Sequence, residues 1–332
     1  MTAAAVPVVD LTAFRGGAPE ARAAVAAELD AAYREVGFAS VTGHGVDPAV
    51  IAALVAATDG FFSLPPEEKL AAASATRHPN RGYQPMGNES LSRSYGDAGG
   101  ETPPDLFEAF TIGPVGRPDD EYHRSPSAGR YFEPNDWPVA PGGFEAAWTA
   151  YYRALEGVAD LVMAVFATAL GLPDDFFVAS TDRHITALRA LHYPPTGRRP
   201  RPGQMRIGQH TDFGSITVLL TDATPGLQVA ATDDRDPKWV DVPHVPGAFV
   251  VNVGDLLSEW SNRRWRSTRH RVAPVALDRH RTSWAFFHHP NHDAVIATLP
   301  QCDTGAPPVL AEPVTAGDYL WRKLEALAVH AP

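Results

Sequence analysis

Gln209-His210-Thr211-Asp212-Phe213-Gly214 places two metal-ligating residue types two positions apart in a run that reads as a β-strand. Side chains at i and i+2 of a strand leave the same face, so His210 and Asp212 reach toward one ion while Thr211 points away. The pair alone decides little, because about one His-x-Asp arises by chance in a chain this rich in both residues. A third ligand is available at His270, in Trp265-Arg266-Ser267-Thr268-Arg269-His270-Arg271-Val272, just before a predicted strand. Two imidazoles and a carboxylate on one face of an ion leave the opposite positions open, as a non-haem Fe(II) centre requires to take up a co-substrate and dioxygen. Zinc would bind the same donors but could not reduce dioxygen.

Arg281-Thr282-Ser283 supplies the next feature. Arg281 and Ser283 share one strand face, and a planar guanidinium beside a hydroxyl is well formed to hold a carboxylate. Such a pair, a strand away from the metal, would anchor the far carboxylate of a diacid chelating the iron. Taken alone, Arg-x-Ser is commoner as a surface or salt-bridging pair.

Composition narrows the partners. The 332 residues are 44% hydrophobic and 20% charged, an ordinary globular balance. A formal net charge of -11 argues against nucleic-acid or anionic-membrane partners, both of which need a basic face. One cysteine, Cys302, precludes an intrachain disulfide and a thiolate-rich metal centre, so any metal takes N and O ligands. Met1 to Val9 has no basic n-region of a secretory signal, and no apolar run approaches the roughly 20 residues of a membrane span. The expected compartment is the cytoplasm.

Along the chain, a strand is expected over Val6 to Leu11, a helix from Pro19 to Val36, a strand over Phe38 to Val41, and a helix capped by Asp47 with Pro48 at its first position. A short helix opens at Leu64. Residues 76–141, rich in Gly, Pro, Ser and Asp, read as long irregular connections. A strong helical period runs from Phe144 to Leu170. Eight short strands follow: Thr186 to Tyr193, Met205 to Asp212, Ile216 to Thr221, Leu227 to Ala231, Trp239 to Val242, Phe249 to Val253, Arg271 to Pro274 and Thr282 to Phe287. Turn signals between them point to a sandwich or barrel. Val314 to His330 reads as a last helix. The fold class is mainly β with flanking α-helices.

These motifs, in this order, resemble the isopenicillin N synthase-like family of Fe(II)/2-oxoglutarate dioxygenases over nearly the whole sequence. The similar segments include Pro7-Val8-Val9-Asp10, Gly43-His44-Gly45-Val46, Arg81-Gly82-Tyr83 and Asp105-Leu106-Phe107-Glu108 in the N-terminal part. Further on they include Tyr193-Pro194-Pro195, His210-Thr211-Asp212, Asn252-Val253-Gly254-Asp255, His270-Arg271-Val272 and Arg281-Thr282-Ser283. The resemblance implies a double-stranded β-helix, or jelly roll, with His210, Asp212 and His270 as iron ligands. It also implies that Arg281 and Ser283, assisted by Tyr193, bind the distal carboxylate of 2-oxoglutarate. Two departures from the family pattern are Leu191, where many plant members carry an Asn that contacts the co-substrate, and Trp265, which replaces a common Tyr.

The implied organisation is one catalytic unit over residues 1–332, with an N-terminal dioxygenase region at 6–118, a jelly-roll core at 183–291 and a closing helix at 314–330. The implied reaction consumes 2-oxoglutarate and O2, releases succinate and CO2, and oxidises an unactivated carbon of a small molecule. Hydroxylation is the leading outcome, with desaturation or ring formation on the same scaffold. An Fe(II) oxidase that does not use 2-oxoglutarate and a non-catalytic jelly-roll binding protein are the alternatives. For the substrate, a natural-product intermediate or amino-acid derivative, the candidate contacts are an apolar wall of Tyr83, Phe110 and Phe287, with Arg93 or Arg189 to meet an acid. His44 is expected in a turn, His192 facing away from Tyr193, and one of His288 and His289 at the pocket. His184, His244, His280, His292 and His330 are expected to be solvated.

Overall fold

The computed structural model describes residues 5–74, 81–91, 103–116, 118–196, 199–232 and 237–328. Strand β1 (Val8–Asp10) leads through the short α1 (Thr12–Gly16) into α2 (Pro19–Glu35), which starts on a proline and buries Val25, Leu29 and Tyr33. Gly37 then adopts φ +77°, and a Cβ there would lie 2.4 Å from the Arg266 carbonyl oxygen. Only glycine lets the helix turn this tightly into β2 (Phe38–Thr42). Asp47 caps α3 (Pro48–Phe62) by accepting from the Ala49 N–H at 2.8 Å, and α4 (Pro66–Leu70) ends the N-terminal helices.

The stretch expected to be irregular contains two strands, β3 (Gly82–Gln84) and β4 (Glu108–Ile112), as well as the single turns α5 (Glu121–Arg124) and α6 (Pro126–Gly129). Every residue of β4 is buried. Both of its faces are covered, so it lacks the clean in–out alternation that would have marked it. Helix α7 (Phe144–Ala169) and the short α8 (Val178–Thr181) follow.

The strand-rich half then runs β5 (Ala187–Tyr193), β6 (Ile207–His210), β7 (Ile216–Thr221), β8 (Leu227–Ala230), β9 (Trp239–Asp241) and β10 (Phe249–Val253). After α9 (Asp255–Trp260) come β11 (His270–Val272) and β12 (Arg281–His288). All eight expected strands are present. The strand expected to carry both His210 and Asp212 is shorter than its sequence suggests: β6 ends at His210, which leaves Asp212 in the loop beyond. A ribbon of β13 (Val295–Ile296) and β14 (Val314–Thr315) takes up the start of the expected last helix, so α10 covers Ala316–Ala328.

Two sheets face each other as in a jelly roll. The larger has the order β1-β2-β10-β7-β12-β5-β4-β3 and the smaller β6-β11-β8-β9; β1 and β2 pair in parallel and the remaining neighbours antiparallel. The outer face of the larger sheet carries Phe110, Leu188, Trp284 and Phe286 against Trp148, Tyr151 and Leu155 of α7. Its inner face, with Tyr193, Leu191, Ala285 and Phe38, closes over Ile207, Val229 and Val272 of the smaller sheet. Among the described residues no helix is long and apolar enough to cross a membrane.

Trp148 is fully buried, stacked on Phe144 and edge-on to Phe110. Trp148→Ala should cost about 3–5 kcal/mol of unfolding free energy in a urea titration. A loss under about 1 kcal/mol would mean that α7 is not what backs the sheet.

Candidate metal centre and co-substrate site

His270, the first residue of β11, lies directly opposite His210, the last residue of β6, in the antiparallel register. Their rings stand 4.2 Å apart between centroids. Asp212 Oδ1 is 3.8 Å from Nε2 of each imidazole. The three potential ligand atoms lie within 4.8 Å of one another, and the side chains are largely buried.

Hydrogen bonds behind the cluster decide which atoms face its centre. His210 Nδ1 meets the Gly208 carbonyl oxygen at 2.9 Å and His270 Nδ1 meets that of Thr268 at 3.2 Å. Each Nδ1 therefore carries the proton it donates, and each Nε2 keeps its lone pair for a metal. Asp212 Oδ2 accepts from Thr217 Oγ1 at 2.6 Å and from Asn252 Nδ2 at 2.7 Å, which leaves Oδ1 toward the imidazoles. Burial, followed by repulsion from His270, holds the His210 imidazole down at about 4, so it is neutral at ordinary pH. Burial alone would raise the Asp212 carboxyl; the two imidazoles and the Thr217 and Asn252 bonds outweigh it and keep the group a carboxylate. Two imidazoles and one anion, each oriented by a second partner, fit a divalent ion of Fe(II) type.

The loop after β6 owes its path to two glycines. A Cβ on Gly214 would sit 2.3 Å from the His288 carbonyl oxygen, and one on Gly254 would sit 2.3 Å from that of Gly214. The Asp255 N–H at the start of α9 donates to the Asp212 carbonyl oxygen at 2.7 Å, fixing the loop against the helix.

Beyond the metal cluster, β12 lays Arg281, Ser283, Ala285 and Phe287 along the inner face. Arg281 is 1% exposed. Its Nη1 donates to Ser283 Oγ at 3.2 Å, its Nε has no partner, and its Cζ lies 5.0 Å from the Tyr193 ring centroid. Burial pushes the Tyr193 phenol up, so it stays a neutral O–H donor; Ser283 lies beside that buried hydroxyl, but no acceptor is within hydrogen-bonding distance of it. A buried cation beside unsatisfied donors matches a bound carboxylate.

The proposed substrate contacts divide. Phe287 is on the inner face. Arg189 is there too, but Glu89 and Gln84 already accept from its Nη2, at 2.5 and 2.6 Å. Tyr83 and Phe110 are not: they face each other across β3 and β4 on the helix side, where Phe110 packs on Phe144 and Tyr83 donates to Glu108. The strand period decides this, because inner and outer faces alternate and the aromatics fall on the outer set. Arg93 lies outside the described residues.

Of the histidines, His44 occupies its turn against Phe249, and His192 faces the helices and bonds to Glu108 at 2.9 Å. His289 reaches the pocket between the jelly roll and α10, beside Ala187, Tyr131, Leu320 and Trp321. Its imidazole is held down to about 4 by burial, against the attraction of Asp212. His244 and His280 are exposed, whereas His292 is buried against Tyr122 and His184 pairs with Glu156 at 3.1 Å. His330 lies outside the described residues. Thr217 and Asn252 were not expected at the metal; their only signal in the sequence is a polar residue at an inward position of an otherwise apolar strand.

Comparison with known proteins places this geometry. The profile of the 2OG-Fe(II) oxygenase superfamily matches residues 184–290, and that described as non-haem dioxygenase in morphine synthesis N-terminal matches residues 6–140. The chain is 35% identical over 329 residues to the 2-oxoglutarate-Fe(II) type oxidoreductase hxnY of Emericella nidulans, spanning 96% of this chain and 90% of that protein. It is 37% identical over 276 residues to validamycin A dioxygenase of Streptomyces hygroscopicus subsp. limoneus, spanning 82% and 72%. A full-length Neurospora crassa protein, crystallised in complex with alpha-KG and thymine, superposes with a TM-score of 0.82 at 28% identity, over 98% of this chain and 97% of that one.

The chain belongs to the Fe(II)- and 2-oxoglutarate-dependent oxygenases. It is an oxidoreductase that uses iron and 2-oxoglutarate to oxidise a small molecule.

Asn252→Ala and Thr217→Val each remove one donor from Asp212 Oδ2. Each should weaken Fe(II) binding about 10- to 100-fold in an anaerobic titration. Unchanged affinity in both would show that the carboxylate does not depend on them.

Proposed function

We propose that His210 Nε2, Asp212 Oδ1 and His270 Nε2 hold the iron, and that Arg281, Ser283 and Tyr193 hold the distal carboxylate of 2-oxoglutarate. The observation that carries the co-substrate assignment is the Arg281 guanidinium, buried on the inner face with no carboxylate partner among the described residues. Bound iron supplies open coordination positions for the keto acid and dioxygen, and the oxidising power for an unactivated carbon. The chain's own residues orient and exclude. Gly208 and Thr268 fix the imidazole faces, Thr217 and Asn252 fix the carboxylate, and the apolar inner faces of both sheets keep water from the reacting atoms.

On this reading the substrate approaches from the opening between the jelly roll and α10. His289, Trp321, Arg81 and Arg130 line that opening; Arg81 donates to the Tyr131 and Glu133 carbonyl oxygens and Arg130 lies over the Trp321 ring. A wall carrying two guanidinium groups favours a small molecule with an acidic group, and hydroxylation is the outcome this reading adopts. The Neurospora crassa relative binds thymine and validamycin A dioxygenase is named for its compound, so relatives with this fold act on small molecules. A net charge of -11 disfavours nucleic acid, and a single cysteine suits a reducing cytoplasm. The chain is read as one catalytic unit, since β1 to β4 join the same large sheet as the jelly-roll strands.

His210→Ala and Asp212→Ala should fold, bind Fe(II) weakly and release no succinate; full turnover in either would remove the proposed ligand set. Arg281→Ala should raise the 2-oxoglutarate requirement by about tenfold or more. An unchanged requirement would favour an oxidase that holds its own substrate's carboxylate there.

Arg130→Ala should raise KM for an acidic substrate found by a succinate-release screen and leave the 2-oxoglutarate requirement unchanged. A screen in which only neutral compounds turn over would overturn the acidic-substrate reading.

A further inference from the structure

A second guanidinium lies close to Arg281. Arg206, just before β6, is 1% exposed. Its Nη2 donates to the carbonyl oxygens of Ala276 at 3.2 Å and Arg279 at 2.8 Å, in the loop that leads into β12. Its Nη1 is buried without a partner. Arg206 Cζ stands 5.8 Å from the Tyr193 ring centroid, and Arg281 Cζ stands 5.0 Å from the same point. Two buried cations thus share one phenol, and among the described residues neither is paired with a carboxylate.

This arrangement is costly in the absence of an anion. Burial, and then the Arg281 charge, hold the Arg206 guanidinium below its ordinary value, against the weaker attraction of Asp222 and Asp278, neither of which is in contact with it. Tying down the loop before β12 requires donors from Nη2 alone and no net charge, whereas a desolvated, repelled cation calls for an anion. The nearest unsatisfied donors are Arg206 Nη1, Arg281 Nε and the Tyr193 hydroxyl. All three are donors and call for an acceptor, and because two of them belong to buried cations an anionic acceptor such as a carboxylate suits them best.

We propose that Arg206 is a positioning residue for 2-oxoglutarate, forming with Arg281 a two-cation cradle around Tyr193 that selects keto acids carrying a second carboxylate. The proposal rests on the assignment of Arg281 and Ser283 to that carboxylate. It also accounts for the β11–β12 loop, in which Ala276 adopts φ +48°: the residue that recognises the charge also clamps the backbone leading to Arg281.

The test is an anaerobic titration of the Fe(II)-loaded protein, following the visible charge-transfer band. The probes are 2-oxoglutarate and 2-oxobutanoate, which keeps the chelating keto acid and lacks the second carboxylate. Arg206→Gln should weaken 2-oxoglutarate about 10- to 100-fold and leave 2-oxobutanoate unchanged, with Arg206→Lys recovering part of the loss. Equal weakening of both acids, or of neither, would reduce Arg206 to a loop fastener. Should Arg206→Gln not fold, a protein carrying Arg281→Ala, Ser283→Ala and Tyr193→Phe together decides, because with those three donors removed any preference it retains for 2-oxoglutarate comes from Arg206. A residual preference of several-fold supports the cradle, and its complete loss overturns it. If Arg281→Ala leaves the full preference intact, the underlying assignment of Arg281 fails instead.

Discussion

The Asp212 carboxylate ties the two sheets and the metal cluster together. A buried anion persists only if both oxygens are compensated. Here Oδ2 is held by Thr217 of β7 and Asn252 of β10, both from the larger sheet, while Oδ1 faces His210 and His270 from the smaller one. One side chain thus joins the two sheets through polar contacts where their apolar inner faces meet. The glycines at 214 and 254 follow from it, because the loop carrying Asp212 passes within backbone contact of β12 and α9.

Each strand of the larger sheet serves two purposes, one on each face. Toward the helices, aromatic packing through Phe61, Phe110, Phe144 and Trp148 supplies rigidity. That face also carries a polar group, Glu108, which accepts from Lys69 and Tyr83 and bonds to His192. It is fully partnered, as a buried charge must be, and so stands apart from the chemistry. Toward the interior, polar groups are left unsatisfied around Tyr193 and Arg281, where a ligand can complete them.

Strand β12 orders the interior from end to end. Its inward residues run from Arg281 and Ser283, at the proposed co-substrate end, through Ala285 to Phe287, and His289 follows in the pocket under α10. A regular strand therefore sets the spacing between the proposed carboxylate anchor and the proposed substrate side. The C-terminal helix is fastened over that opening by bonds from Tyr319 to Glu259 and Lys323 to Asp255, and by Tyr131 donating to the Gly317 carbonyl oxygen.

The elements and the chemistry of the ligands were legible in the chain before any fold was known. Capping residues, helical periods and turn signals marked α2, α3, α7 and the eight strands from β5 to β12. His210, Asp212 and His270 stood out because metal ligands have a restricted chemistry and short spacings fix their relative direction. Whatever depends on which face a residue occupies, and on what lies opposite, came only with the folded arrangement. Residues 76–141 hid β4, because a strand covered on both sides loses its alternation. Tyr83 and Phe110 looked like pocket aromatics until the register put them among the helices. Thr217, Asn252 and Arg206 carry little local signal of what they bond to: their partners are brought in by β-pairing and loop closure from distant parts of the chain, and long-range contact of that kind is not written in local spacing.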